Sequence, residues 1–166
     1  MHLNNGYEIE RKFLIEYPDI SVLKQISGNS FAFLSQFYLS TGGRVRKIET
    51  EEKTVYIKTV KQHITDIKRK ETEWEITKEE YEKELNNIKE GTHIIEKVRY
   101  KIPSGEHTLE IDVFPFWNDR AFLEVELKEE DEEFIIPEFI KIIKEVTADK
   151  RYRNSALAIQ IINEEI

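Results

Sequence analysis

The feature that most constrains this chain is a repeated alternation of charged and apolar residues in its strand-like segments. The alternation first occurs at residues 8–14, where Glu8, Glu10 and Lys12 are separated by single residues. Because successive side chains of a β-strand point to opposite faces, these two carboxylates and the ammonium group would share one face. The segment therefore predicts a β-strand with an ionic face.

Most of the later predicted strands repeat this arrangement, with like charges two residues apart. The basic residues on the charged faces are Lys12, Arg44, Arg46, Lys58, Arg69, Lys97, Arg99 and Lys101. The acidic residues on those faces are Glu8, Glu10, Glu71, Glu73, Glu75, Glu110, Asp112, Glu124 and Glu126. Like charges in such pairs lie roughly 7 Å apart, and their repulsion costs stability unless opposite charges lie between them.

A closed barrel brings the opposite charges together if the ionic faces point inward. We therefore predict a single α+β domain over residues 1–166, with a closed eight-stranded antiparallel β-barrel. In this tunnel the lumen is charged, and helices pack against the apolar outer faces. The alternatives are an open sheet with one solvated face, or a lumen filled only by neutralising ion pairs. The second alternative is disfavoured because the attraction within a buried ion pair often fails to offset the cost of desolvating its charges.

Turn residues and periodicity divide the chain into predicted elements. Strands are predicted at residues 8–14, 35–40, 44–48, 54–60, 67–76, 94–102, 107–114 and 122–128. Helices are predicted at residues 19–26, 77–89, 137–146 and 154–163. The second helix begins with the capping-box pattern Thr77-x-x-Glu80, and Pro137 suits the first turn of the third.

Composition excludes several functional classes. The chain has no cysteine, so disulfides, thiolate catalysis and cysteine-bound zinc are excluded. Its four histidines show no metal-ligand spacing, so a metal ion would be held by carboxylates, which suit Mg²⁺, Mn²⁺ or Ca²⁺. The net charge of −8 argues against a nucleic-acid-binding surface. The sequence shows no signal-peptide core or membrane-length apolar run, so we expect a cytoplasmic protein with no membrane partner.

The motifs, taken in order, resemble those of the CYTH superfamily, the triphosphate tunnel metalloenzymes. The Glu8-x-Glu10-x-Lys12 start is weak evidence alone, since such triplets are common in charged chains. The motifs that follow in the family's order are Gln36-Phe37-Tyr38-Leu39, Arg44-x-Arg46, Lys58, Arg69-x-Glu71-x-Glu73, Lys97-x-Arg99, Glu110-x-Asp112, Glu124-x-Glu126 and Tyr152-x-Asn154. The ordered set covers essentially the whole chain.

This resemblance implies a tunnel that binds a triphosphate end-on together with divalent metal, for which we expect two Mg²⁺ or Mn²⁺ ions. The substrate-binding residues would be Lys12, Arg44, Arg46, Lys58, Arg69, Lys97, Arg99 and Arg151. The metal ligands would be Glu8, Glu10, Glu124 and Glu126, with Glu73 and Asp112 as further ligands or as residues that orient the basic groups. Lys12, Glu124 and Glu126 would be catalytic. Arginine forks suit phosphate, and carboxylates suit these ions.

The resemblance is greatest to inorganic triphosphatases, which implies a hydrolase that cleaves the terminal phosphoanhydride of inorganic triphosphate. Nucleoside triphosphates are a further candidate substrate. The alternatives are a class IV-type adenylate cyclase, a thiamine triphosphatase in which Trp74 or Trp117 stacks on the substrate, and a polyphosphate-binding module without activity. Core packing is the simpler role for both tryptophans. The residues leave open whether the protein is a monomer or a homodimer.

Overall fold

In the computed structural model, which describes the backbone of residues 2–166 and the side chains of residues 6–166, one antiparallel sheet closes on itself. Its strands are β1 His2–Glu16, β2 Ser30–Tyr38, β3 Arg44–Glu49, β4 Thr54–His63, β5 Lys68–Ile76, β6 Ile95–Ser104, β7 His107–Val113, β8 Arg120–Leu127 and β9 Ile142–Glu145. The order is β5-β4-β3-β2-β6-β7-β8-β1-β9, and β1 also pairs with β5. The predicted closed eight-stranded barrel is confirmed, and β9 lies beyond it.

Strand β1 closes the barrel because its two halves pair with different strands. Its first half pairs with β5, where Glu8 lies opposite Arg69. Its second half pairs with β8, where Lys12 lies opposite Glu124. Directly paired residues of antiparallel strands point to the same face. Glu8, Arg69, Lys12 and Glu124 therefore point into one lumen.

The main apolar core lies outside the barrel, as the alternation predicts. The outward residues of β1, β6, β7 and β8 pack against helix α1, Ile20–Gln25, and against the segment 134–140. Asp19 caps α1 by accepting a hydrogen bond from the Ser21 amide at 3.0 Å, and Leu23 is buried in the core. No helix in the described part of the chain has the length and apolar character needed to cross a bilayer.

Helix α2, Lys78–Glu84, covers a second outer face. The predicted capping box is present, since Thr77 and Glu80 each accept a hydrogen bond from the other's amide. Tyr81 packs its ring against Phe37 of β2 and Tyr56 of β4, with centroid distances of 5.6 and 4.8 Å. The helix is shorter than predicted and continues as a 3₁₀ turn over Leu85–Asn87.

One end of the lumen is closed by apolar side chains. Leu14 and Phe122 lie opposite each other on the lumen side of β1 and β8, one step beyond the Lys12–Glu124 pair. They belong to a buried cluster with Phe114, Trp117, Tyr152, Leu157 and others. The barrel is therefore a blind tunnel with an apolar base.

In the C-terminal third one helix prediction is wrong and another is too long. Residues 137–146 form a turn followed by β9, which pairs with the second half of β1. This part of β1 has no pairing with β5, so its backbone groups on that edge are free to bond β9. The last predicted helix, over residues 154–163, is reduced to α3, Asn154–Leu157, which follows the 3₁₀ turn Lys150–Tyr152.

The outer core yields a stability prediction. Leu109 is fully buried in it, so Leu109→Ala should lower the free energy of unfolding by about 2–5 kcal/mol through lost burial and a cavity. Urea denaturation measures this change. Ile135→Ala is the matched control because the side chain of Ile135 is 66% exposed. Equal stabilities of the two variants would contradict an apolar core outside the barrel.

Candidate functional site

The lumen contains a cavity of about 630 Å³ whose lining is mostly ionic. Ten of the residues that were predicted to bind substrate or metal line it: Glu8, Glu10, Lys12, Arg44, Arg46, Arg69, Glu73, Lys97, Arg99 and Glu124. They come from β1, β3, β5, β6 and β8. Barrel closure therefore brings together side chains that are far apart in the sequence.

One wall of the cavity is formed by two arginines of β3 that form no ion pair with a carboxylate of residues 6–166. Arg46 donates two hydrogen bonds, of 3.0 and 2.7 Å, to the neutral side-chain carbonyl of Gln36. Arg44 donates one of 3.3 Å to Thr59, and its buried Nε has no partner among the described residues. Burial and repulsion from Arg44 and Arg99 lower the pKa of Arg46 to about 9. This wall is suited to bind an anion.

Deeper in the lumen, Asp112 holds two cations in place. It accepts hydrogen bonds of 2.8 and 2.9 Å from the guanidinium group of Arg99 and lies 2.7 Å from Lys97 Nζ. Burial alone would raise the pKa of Asp112, but Arg99 and Lys97 hold it well below its usual range. Burial lowers the pKa of Lys97 to about 7, against the attraction of Asp112. Both oxygens of Asp112 are thus used to orient basic groups, and its role as a metal ligand stays a prediction.

Lys12 lies at the base of the cavity beside Glu124. Its Nζ donates a 2.8 Å hydrogen bond to the Tyr152 carbonyl, lies 3.6 Å from Glu124 Oε1, and lies 3.9 Å from the ring centroid of Phe122. Burial lowers the pKa of the Lys12 ammonium group. Burial acts to raise the pKa of Glu124, but Lys12 and Arg99 outweigh it and lower that pKa. The base therefore holds a cation and a carboxylate in contact.

The opposite wall is rich in carboxylates. Burial and repulsion from Glu124 and Glu8 raise the pKa of Glu10 to about 8. Glu126 lies opposite Glu10 in the sheet and is exposed at the mouth rather than lining the cavity. Its pKa is raised by partial burial and by repulsion from Glu8 and other carboxylates. Arg69, whose Nη1 lies 3.9 Å from Glu10 Oε1, therefore offsets the repulsion among these carboxylates only in part.

This acidic wall fits a divalent cation by its chemistry. Its donors are carboxylate oxygens, which are the ligands that Mg²⁺ and Mn²⁺ prefer. Glu8 Oε2 is buried and accepts no hydrogen bond from the described residues. Within residues 6–166 the acidic and histidine side chains form no group of three arranged to hold an ion. The carboxylates would have to turn toward one another on binding.

The prediction that Lys58 lines the tunnel is wrong. Lys58 lies opposite Val45 in the sheet, so it faces the outside of the barrel. There its Nζ lies 2.9 Å from Glu84 of α2 and 5.9 Å from the ring centroid of Trp74. The residue of β4 that reaches the carboxylates is Lys61, which sequence reasoning missed.

The prediction that Arg151 reaches the tunnel mouth is also wrong. Its side chain is 56% exposed and pairs with Asp149 at 2.6 Å and Glu164 at 3.2 Å. Arg153 lines the cavity instead, and its buried Nε and Nη2 have no partner among the described residues. The sequence contained a signal for the Asp149–Arg151 pair, because the two residues are only two positions apart. In the structure Asp149 caps the 3₁₀ turn and accepts a hydrogen bond from Arg151 Nε.

The comparisons with known proteins agree with this geometry. Residues 6–152 match the CYTH domain. An inorganic triphosphatase of Acetivibrio thermocellus is 33% identical over 161 residues, 92% of this chain and 93% of the relative. An inorganic triphosphatase of Nitrosomonas europaea is 36% identical over 162 residues, 93% of this chain and 98% of the relative. A crystal structure of an inorganic triphosphatase has 32% identity and a TM-score of 0.57, covering 94% of this chain and 97% of that one.

The pKa of Glu10 yields a prediction for pH. Because its folded value of about 8 exceeds the ordinary 4.5, the folded chain binds more protons than the unfolded chain between these pH values. Without divalent metal, the wild type should therefore lose stability relative to Glu10→Gln as the pH rises from about 4.5 to about 8. Urea unfolding of both proteins across this range measures the difference, and parallel pH profiles would contradict the assignment.

Proposed function

We propose that this chain, which belongs to the CYTH family, is a triphosphatase that hydrolyses the terminal phosphoanhydride bond of inorganic triphosphate. Two relatives that bear the name inorganic triphosphatase are 33% and 36% identical to it over more than nine-tenths of its length. The cavity supports this activity because it contains the two kinds of charge that a metal–triphosphate complex requires.

The observation that carries the proposal is the pair Arg44 and Arg46, which have no acidic partner among the side chains that the structure describes and face a wall of repelling carboxylates. A buried guanidinium group without a counter-ion is costly, as is a buried carboxylate among like charges. A polyanion bound with divalent cations removes both costs at once, because its phosphates pair with the arginines and its cations with the carboxylates.

The blind base favours a substrate with a free terminal phosphate. Such a phosphate can enter until it reaches Lys12, Lys97 and Arg99, beyond which the lining becomes the apolar cluster. Neither tryptophan offers a stacking platform. Trp117 is buried in the base and Trp74 lies on the outward face of β5, as their core role predicts. This placement disfavours recognition of a thiamine ring by either residue.

The residues that line the cavity would act by binding and orientation. Arg44, Arg46 and Arg99 would form charge-assisted hydrogen bonds with phosphate oxygens, and their rigid forks would align the chain for in-line attack by water on the terminal phosphorus. Lys12 would neutralise charge that builds in the transition state, and Glu124 would keep it in position.

We further propose that hydrolysis depends on Mg²⁺ or Mn²⁺ held by Glu8, Glu10, Glu124 and Glu126, with Glu73 as an additional ligand and two ions in total. The raised pKa values of Glu10 and Glu126 support this, because a cation between them would relieve the repulsion that raises these values. A bound ion would neutralise charge on the phosphate oxygens during the reaction.

Product analysis tests the reaction. The purified protein should release orthophosphate from inorganic triphosphate with Mg²⁺ or Mn²⁺, and EDTA should abolish the release. Orthophosphate is measured by a colorimetric assay and nucleotides by chromatography. Formation of cyclic AMP and pyrophosphate from ATP, without triphosphate hydrolysis, would show a cyclase instead. Triphosphate binding without turnover would show a binding module.

Glu124→Gln tests the catalytic site at nearly constant side-chain volume. We expect kcat to fall by about 100-fold or more, because the residue loses the charge that would hold a metal ion and position Lys12. Thermal unfolding of the variant, measured in parallel, separates this effect from loss of the fold. A folded variant with the wild-type kcat would exclude Glu124 from the active site.

Arg44→Ala tests the anion-binding wall. We expect the KM for triphosphate to rise by about 10- to 100-fold, since hydrogen bonds to a charged group would be lost. Lys47→Ala is a suitable control, because Lys47 lies in the same strand as Arg44 but on the outer face, opposite Tyr56. An unchanged KM in Arg44→Ala would contradict the assignment.

A further inference from the structure

The register of the β3–β4 hairpin determines which lysine of β4 faces the lumen. Glu49 and Thr54 are the last paired residues before its four-residue loop, 50–53. Continuing this register places Ile57 opposite Arg46 and Thr59 opposite Arg44. Odd-numbered residues of β4 therefore face the lumen along with the arginines. Lys61 follows in this series, and Lys58 does not.

Lys61 lies among the carboxylates that the proposed function assigns to metal binding. Its Nζ is 3.2 Å from Glu8 Oε2 and 3.7 Å from Glu71 Oε2, and Glu71 is its direct partner in β5. The two carboxylates are largely buried, whereas the Lys61 side chain is 30% exposed. The ammonium group therefore supplies positive charge from the mouth side to an acidic wall that repels itself.

Another cation can replace Lys61 in these contacts. Glu8 Oε2 accepts no hydrogen bond among the described residues, so Lys61 is held to it by charge and not by a directed bond. Arg99, in contrast, is fixed by a two-point hydrogen bond to Asp112. A lysine is a mobile point charge on a flexible stem, and a divalent cation is a stronger partner for a carboxylate than an ammonium group.

We propose that Lys61 is a tethered cation that occupies the Glu8 carboxylate until a divalent metal ion displaces it, and that it then binds the outer phosphate of the triphosphate. This inference rests on the proposed function. It assigns to Lys61 two opposite effects, since the same ammonium group weakens metal binding to the free protein and strengthens binding of the substrate.

Lys61→Met tests both effects because it removes the charge and keeps the length of the side chain. Mn²⁺ binding without triphosphate, measured from the electron paramagnetic resonance of the free ion, should tighten by about fivefold. The KM for triphosphate at saturating Mn²⁺ should rise by about the same factor, with a smaller change in kcat. Lys61→Gln should behave alike, and Lys61→Arg should stay closer to the wild type.

Lys58→Met is the matched control, since it removes the same charge from the same strand on the outer face. Both constants should remain at their wild-type values. Mn²⁺ affinity that is unchanged or weaker in the Lys61→Met and Lys61→Gln variants overturns the competition, and an unchanged KM overturns the contact with phosphate. Failure of the wild type to release orthophosphate from triphosphate with Mn²⁺ would overturn the proposed function instead. The two failures are therefore distinguishable.

Discussion

Ionic side chains can occupy the inside of this barrel because the contacts that stabilise the fold lie elsewhere. Leu109, Ile111 and Leu123 are fully buried on the outer face, beneath α1 and the segment 134–140. Burial of apolar surface is the main favourable contribution to folding, and here it does not depend on the lumen. The lumen can therefore retain charges that would be too costly in the only core of a protein.

Within the lumen, charge compensation is uneven, and this unevenness distinguishes a binding site from a structural ion-pair network. Asp112 is matched by Lys97 and Arg99. Arg44 and Arg46 have neutral partners, and Glu10 is repelled by Glu124 and Glu8 with Arg69 Nη1 3.9 Å from its Oε1. A lumen filled only by neutralising ion pairs would have left no such excess on either wall. The remaining charges are opposite in sign and share one cavity, which is the arrangement that a metal-bound polyanion completes.

The apolar base closes one end of the tunnel, so a ligand can enter the site from the other end only. Leu14 and Phe122 continue the lumen faces of the strands that carry Lys12 and Glu124, so the lining changes from ionic to apolar two positions along each strand. The C-terminal turn seals that end, and it also supplies the Tyr152 carbonyl that receives a hydrogen bond from Lys12. The same segment therefore closes the tunnel and positions a residue of the site.

Sequence reasoning succeeded where local alternation decides the outcome. Parity within one strand placed Arg44 and Arg46 together, and it also placed Glu8, Glu10 and Lys12 together, because neighbouring side chains must alternate. It failed where the relation between strands matters. Lys58 and Lys61 differ in parity, and the hairpin register selects Lys61. The predicted helix over 137–146 is a turn followed by β9, because the free edge of β1 accepts this strand, a pairing that local propensity does not reveal.

By itself, the amino-acid sequence determined that this chain builds strands with one ionic and one apolar face, and that its charges are suited to phosphate and divalent metal. Those properties follow from residue type and spacing alone. Only the tertiary structure decided which lysine of β4 enters the lumen, why Arg153 and not Arg151 reaches the cavity, and which end of the tunnel is closed. Each depends on contacts between segments distant in the chain, and the energy of those contacts exceeds local preference.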